Sequence, residues 1–430
     1  MIRPLLAEGG AVAAAPPSRL YYGWVLVGVL GVSATISYGI LTYAFAVFIA
    51  PMQAELGWSK AAITGAFSLA TLVAGLAALP VGRWVDRHGA RSLMTAGSVL
   101  ASALLLAWAH VESLAGFYAV WVGLGVAMAA VLYEPAFAVL AVWFRAKRGR
   151  ALTGLTFLGG FASVVFVPLA AVWVEAYGWR GALVRLALVQ VATIPLHGLL
   201  LRRRPEDVGA APDGEGPVAV AAGHAPPPER SVPGRRAVRS PSFRWVTVCF
   251  GLSALATTAV SVHLVPLLLE RGYPATFAGA AMGVLGLMAL PGRLVFTPLG
   301  DRWPRGVVTA SIFALQAGGT ALLLWGHGAW AVWAFVGLFG AGFGAITPAR
   351  AALVAELYGP AEYGRISGVL ALLTSLARAA APVGASLLYS AGGGYGWVSA
   401  AVLAVCLGSA GAVLRAERPE PSGYFMDTPQ

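Results

Sequence analysis

Apolar residues run through this chain in blocks of roughly 20, the length a helix needs to cross about 30 Å of hydrocarbon. Short polar or Gly/Pro-rich stretches separate them. Twelve blocks are readable, at 20–49, 61–81, 92–108, 114–144, 151–177, 181–201, 243–269, 275–299, 307–325, 329–357, 366–390 and 397–414. Inside a bilayer every backbone polar group must be bonded internally, and continuous apolar blocks of this length satisfy that as helices. The predicted fold class is therefore an all-α membrane protein with 12 transmembrane helices.

The polar breaks repeat. Gly82-Arg83-Trp84-Val85-Asp86-Arg87-His88-Gly89-Ala90-Arg91 lies between the second and third blocks, and Gly300-Asp301-Arg302-Trp303-Pro304-Arg305 lies between the eighth and ninth. Gly57 and Gly272, Pro135 and Pro348, Gly154 and Gly368, and Pro168 and Pro382 fall at nearly the same offset as Asp86 and Asp301. Six blocks separate the copies, so both run in the same sense, as parallel repeats about an axis along the membrane normal. The expected organisation is an N-terminal tail at 1–19, a six-helix bundle at 20–201, a linker at 202–242, a second six-helix bundle at 243–414 and a tail at 415–430. The linker is rich in Arg, Pro, Gly and Ala and reads as flexible.

Composition supports the lipid setting. The chain is 58% hydrophobic and 11% charged, with a mean hydropathy of +0.76, too little polar surface for a soluble globule of this length. A net charge of +11 raises nucleic acid as a partner, but the basic residues are dispersed among membrane loops rather than gathered on one face. Sidedness accounts for them. Of 29 Lys and Arg, Lys60, Arg180 and Arg271 fall on one side and Arg185, Arg293, Arg350 and Arg378 within blocks. All others fall with the termini, hairpins and linker, which places that side in the cytoplasm and the protein in the cytoplasmic (plasma) membrane. Breaks at Glu8, Gly9, Gly10 and Pro16-Pro17 argue against a cleaved leader. Cys249 and Cys406 lie inside apolar blocks and read as small core residues.

Charges within the blocks carry the functional information, since each costs about 2.5 to 3.5 kcal/mol at a helix centre unless paired or wetted. Glu134 and Arg350 occupy helices that are equivalent in the repeat, and the expectation is that they pair across the axis as a gate; Glu134 is also a candidate proton carrier. His263 is the histidine deepest in a block, suited to proton coupling or to a hydrogen bond with substrate, or equally to a bond with a neighbouring helix. Tyr43, Tyr133 and Thr42 are candidate hydroxyls around a bound anion, with packing as the competing role. Arg185, near the end of its block, is expected to snorkel.

The loop Gly82-x-x-x-Asp86-Arg87-x-Gly89-x-Arg91 resembles the signature of the major facilitator superfamily between its second and third helices. Tyr22-Gly23-Trp24-Val25, Leu56-Gly57-Trp58-Ser59 and Trp143-Phe144-Arg145-Ala146-Lys147-Arg148-Gly149-Arg150-Ala151-Leu152-Thr153-Gly154 resemble the monocarboxylate transporter group and its bacterial relatives, including oxalate:formate antiporters. The resemblance implies that Asp86 lies against the positive end of the eleventh helix near Gly364, with Asp301, Arg87 and Arg302 as further gating candidates. It also implies that Arg293 anchors a carboxylate, with Arg378 as a second cation for it. A guanidinium suits that task through two parallel hydrogen bonds; an internal ion pair or bonds to carbonyls are the alternatives. Where animal members carry a lysine in the first helix this chain has Thr42, and where they carry an aspartate before the eighth-helix arginine it has Ala289, so proton coupling does not transfer with the resemblance.

The expected function is secondary active transport of a small organic anion, a monocarboxylate or short dicarboxylate, by alternating access. A proton is a candidate second ion, and a monomer in contact with lipid is expected. An exporter of hydrophobic compounds is the alternative, and a non-transporting membrane sensor the reading from a different class. No Gly-x-x-x-x-Gly-Lys-Ser/Thr stretch, His-Glu-x-x-His pair or nucleophile-base arrangement is present, so no enzyme activity, catalytic residue, metal or cofactor is expected.

Overall fold

A computed structural model describes residues 21–214, 229, 231–300 and 302–417. Eleven of the described segments are helical, long and apolar enough to cross a membrane. One of them, Arg148–Leu200, has 53 residues, about 80 Å at 1.5 Å per residue, far more than one crossing. Gly178 breaks it, with φ 69° and ψ 168°, and divides the expected fifth and sixth spans. Counted so, the described chain makes twelve crossings. Ser59, Ser113 and Ser240 start three of the spans by accepting from the backbone N–H groups of Ala62, Gly116 and Phe243, which supplies partners for otherwise orphaned donors.

The expected boundaries change where the polar hairpin meets the second span. That helix runs Lys60–His88, past the expected end at 81, so Asp86 and Arg87 are helical rather than in a loop. The turn itself is Gly89, at φ 80°. Gly82 is buried in the helix and serves close approach. A Cβ built there would lie 1.9 Å from the carbonyl oxygen of Gly364 in the eleventh span.

Two helix interruptions shape the centre. The first span passes from Tyr22–Tyr38 through a single π turn at Gly39–Tyr43 into Phe45–Leu56. The fourth divides at Leu132 into Leu114–Val131 and Tyr133–Trp143. Pro135 cannot donate to the carbonyl four residues back, so the helix is interrupted there, and Tyr133 and Glu134 sit in the first turn of a new helix.

The apolar packing divides in a way that defines the shape. At the end carrying the hairpins, one cluster joins both halves, from Leu26, Val85, Leu140 and Phe144 to Phe243, Leu353, Tyr363 and Ile366. At the opposite end there are two separate clusters. One is confined to the N-terminal half around Phe48, Trp108 and Trp121, the other to the C-terminal half around Leu268, Phe335 and Phe339. The buried apolar core is shared by the two halves at the hairpin end and separate in each half at the other.

The segment expected as a flexible linker is docked at both described ends. Asp213, in a left-handed conformation (φ 62°), accepts from the backbone N–H groups of Arg145, Ala146 and Lys147 at 2.7–3.1 Å. Arg148, 4% exposed, holds Glu229 through both terminal nitrogens. Val232 N–H donates to the Tyr358 carbonyl of the tenth span. The composition reads as flexible, yet these two carboxylates each find several donors at once.

Candidate functional site

Cross-seam contacts cluster in the hairpin half of the molecule. The carboxylate of Asp86 accepts from the backbone N–H groups of Gly364 and Arg365, both at 2.8 Å. These are orphan donors in the first turn of the eleventh span, Tyr363–Gly392, where the helix dipole also favours negative charge. Gly82 and Gly364 permit this by letting the backbones touch. Arg87 is exposed, and its carbonyl accepts from Arg203. Asp301 lies outside the described residues, and Arg302 faces Arg150 across a surface cleft at this same end.

Deeper in the seam, Glu134 of the fourth span pairs with Arg350 of the tenth and accepts from the Ser367 hydroxyl of the eleventh. Both charged side chains are largely buried, 22% and 12% exposed. The pair joins the two halves in the arrangement expected from the repeat. Ser367 was not anticipated; its position beside Gly368, which packs against the Ala78 carbonyl of the second span, is the one feature that could have pointed to it.

Arg293 is engaged by carbonyls rather than by a carboxylate. Its Nε donates to Gly344 at 3.2 Å within its own half, and its Nη1 donates to Thr156 of the fifth span across the seam. Gly160 lies against the same guanidinium and Leu290. Tyr133 is within electrostatic reach, buried against Tyr38 and Phe137 with ring centroids at 4.5 and 5.2 Å.

Arg378 differs. Among the described residues it makes no hydrogen bond or ion pair, and it is exposed while Tyr38, Tyr43, Glu134 and Arg350 all act on it electrostatically. Those neighbours come from the first, fourth and tenth spans, so its exposed surface opens into the seam. Tyr43, 44% exposed, reaches the same space. Tyr38 belongs with them, although no motif or charge sets it apart from other aromatics in the chain.

Thr42 and His263 stand apart from this cluster, and His263 takes the bond to a neighbouring helix that was its alternative role. The Thr42 hydroxyl is buried with no hydrogen-bond partner, while its neighbour Tyr43 is the exposed one. His263 bonds to the Tyr395 hydroxyl and the Pro382 carbonyl, each at 3.4 Å, and borders a small apolar cavity with Leu264, Phe335 and Val398. Its polar contacts stay inside the C-terminal half, and no described hydrogen bond connects it to the arginines. Arg185 stacks on Tyr177 and bonds to the Gly181 carbonyl, a local arrangement at the far end. Among the described residues no group of His, Cys, Asp or Glu has the spacing to hold a metal ion.

Comparison with known proteins follows the same lines. A family model described as Major Facilitator Superfamily matches residues 31–382 and 294–425. Human monocarboxylate transporter 11 is 29% identical over 320 residues, 71% of this chain and 61% of that protein. Bovine monocarboxylate transporter 13 is 25% identical over 373 residues, 85% of this chain and 82% of that one. Among solved structures, the transporter FucP in the outward conformation superposes with a TM-score of 0.73 at 14% identity, covering 93% of this chain and all of that one. The human organic anion transporter MFSD10 superposes with a TM-score of 0.64 at 17% identity, covering 94% and 99%.

Proposed function

Since the chain belongs to the Major Facilitator Superfamily, we propose that it is a secondary transporter of a small organic carboxylate that works by alternating access. The hairpin end is cytoplasmic, in keeping with its excess of arginine, so the fused end closes the cytoplasmic side and the parted end opens outward. Arg378 is the first cation an entering anion meets, and the phenols of Tyr38 and Tyr43 supply hydrogen-bond donors beside it. The observation that carries this reading is an exposed guanidinium deep in the seam with no carboxylate partner of its own among the described residues. A charge so placed is expensive to keep unless a ligand uses it.

Arg293 has a second role in this scheme. While the cytoplasmic side is closed it clips the Thr156 carbonyl, and when the fifth and eighth spans separate its freed nitrogens become available to the carboxylate on its way out. Asp86 and the Glu134–Arg350–Ser367 cluster close the same side. The names of the two monocarboxylate transporters and of the organic anion transporter support the substrate class.

Uptake of labelled lactate, pyruvate, acetate and oxalate into proteoliposomes tests the proposal. Arg378→Ala is expected to reduce uptake of the preferred substrate by about a hundredfold, the worth of one bidentate charge-assisted pair, with Arg378→Lys intermediate. Uptake of a carboxylate by Arg378→Ala at the parent rate would overturn it, as would failure of all four acids to enter.

A further inference from the structure

On the outer flank of the N-terminal half, away from the seam, the third span Ala90–Ala109 and the end of the sixth, Thr193–Leu200, enclose a groove of about 580 Å³ at the hairpin end. Arg91, Arg202, Arg203, Thr95, Gly198 and Asp207 line it. We propose that this groove binds the phosphate of an anionic phospholipid headgroup.

The charge balance is the first argument. Arg91 donates to the Gly198 carbonyl at 2.7 Å, Arg202 to the carbonyls of Leu199 and Leu201 at 2.7 and 3.0 Å, and Arg203 to that of Arg87 at 2.5 Å. Carbonyls orient a guanidinium without neutralising it. The single carboxylate of the groove, Asp207, is turned to the backbone N–H groups of Arg203 and Arg204 at 3.1 and 3.0 Å. Among the described residues none of the three arginines forms an ion pair. Three oriented cations facing one cavity at the membrane surface fit the fork geometry of a phosphate.

The second argument comes from the repeat. The offset that carries Asp86 to Asp301 carries Arg91 to Gly306 and Arg202 to Glu417. In the C-terminal half the Glu417 carboxylate accepts from the Gly306 N–H in the first turn of the ninth span, and the neighbouring Arg305 pairs with Glu356. That half carries its own anion. In the N-terminal half an arginine stands where the glutamate would be, so that half lacks the corresponding acid. The N-terminal half therefore presents uncompensated positive charge where the C-terminal half carries its own carboxylate, which suits an anion from outside the chain.

The third argument selects the source. Leu199 and Val99, on the two helices that wall the groove, are exposed apolar side chains, so acyl chains have a surface to follow directly below the headgroup. A free phosphate would gain nothing from them.

The test is native mass spectrometry of the full chain reconstituted with phosphatidylcholine plus phosphatidylglycerol and then delipidated in mild detergent. Phosphatidylglycerol is expected to be retained at least about tenfold more by the parent than by Arg91→Gln, given the worth of a charge-assisted phosphate contact. Arg202→Glu, which restores the acid of the other half, is expected to release the lipid while melting no lower than the parent. Equal retention by the parent and by a correctly folded Arg202→Glu overturns the proposal. Displacement of phosphatidylglycerol by millimolar inorganic phosphate overturns the lipid as the source and leaves a soluble phosphate in its place.

Discussion

Gly82→Ala isolates the seam, because the substitution adds one methyl group at the point where two backbones touch. The added Cβ would meet the Gly364 carbonyl oxygen at 1.9 Å, whereas a carbon-to-oxygen contact relaxes at about 3.3 Å. The second and eleventh spans must then part by roughly 1.4 Å, which stretches both 2.8 Å bonds from Asp86 beyond about 4 Å, outside hydrogen-bond range. Bonds to a charged acceptor contribute about 1.5–3 kcal/mol each when buried. Asp86 is only half-buried, so the loss for the closed form is about 2–4 kcal/mol, a factor of roughly 30 to 1,000 in the equilibrium between forms. Spin labels on Arg87→Cys and Ala361→Cys report the distance across the seam, and the two native cysteines are buried and should not label. The parent should show one short distance and Gly82→Ala a longer population. Gly251→Ala is the control, since nothing lies within 4 Å of a Cβ built there. If Gly82→Ala keeps the parent distance and the parent uptake, the seam is not held as argued.

Two further outcomes follow from the same structure. Arg350→Ala leaves Glu134 in the seam with only the Ser367 hydroxyl; losing one partner of a largely buried pair should disfavour the closed form by about 3 kcal/mol, and adding Glu134→Ala should restore part of it, a coupling measurable with the same labels as a double-mutant cycle. Asp213→Ala removes the acceptor shared by three consecutive N–H groups. Trypsin should then cut after Arg145 or Lys147 at least about tenfold faster, because local opening becomes easier, and Asp213→Asn should fall between; equal cleavage of all three would show the dock to be idle.

The positions of the spans were legible because lipid demands long apolar helices and leaves no other regular choice for a single chain segment. The repeat was legible because its glycines and prolines mark places where the backbone does something only those residues permit. It also foretold the pairing of Glu134 with Arg350, since equivalent helices face each other across the axis. What the sequence withheld is rotation about helix axes. A π turn adds one residue to a turn and rotates all that follows, so which of Thr42 and Tyr43 reaches the open side could not be read from the spacing. The same limit hid Tyr38, which no charge or motif distinguishes. Bonds to backbone, such as those from Arg293 to Thr156 and from Asp213 to the loop at 145–147, leave no complementary residue type to read, so half of each interaction is invisible before folding.

The division of the apolar clusters bears on how the closed side could open at an affordable cost. Parting the hairpin end means breaking the bonds of Asp86, Glu134 and Arg293 and also splitting the apolar cluster shared there by the two halves. Bonds alone of this number approach the roughly 5.5 kcal/mol that separates a 1:99 from a 99:1 distribution; the apolar term must be recovered elsewhere. The two clusters at the opposite end each lie within one half, so rocking the halves as rigid bodies would bring those ends together while the hairpin end separates, exchanging one buried surface for another. The substrate then needs to supply only the difference. Glu134 and Arg350 both act electrostatically on Arg378, so an anion bound there as proposed would repel the first and attract the second. On the proposed reading it would therefore weaken the ion pair between the halves, coupling the proposed cargo site to the contact that must break for release.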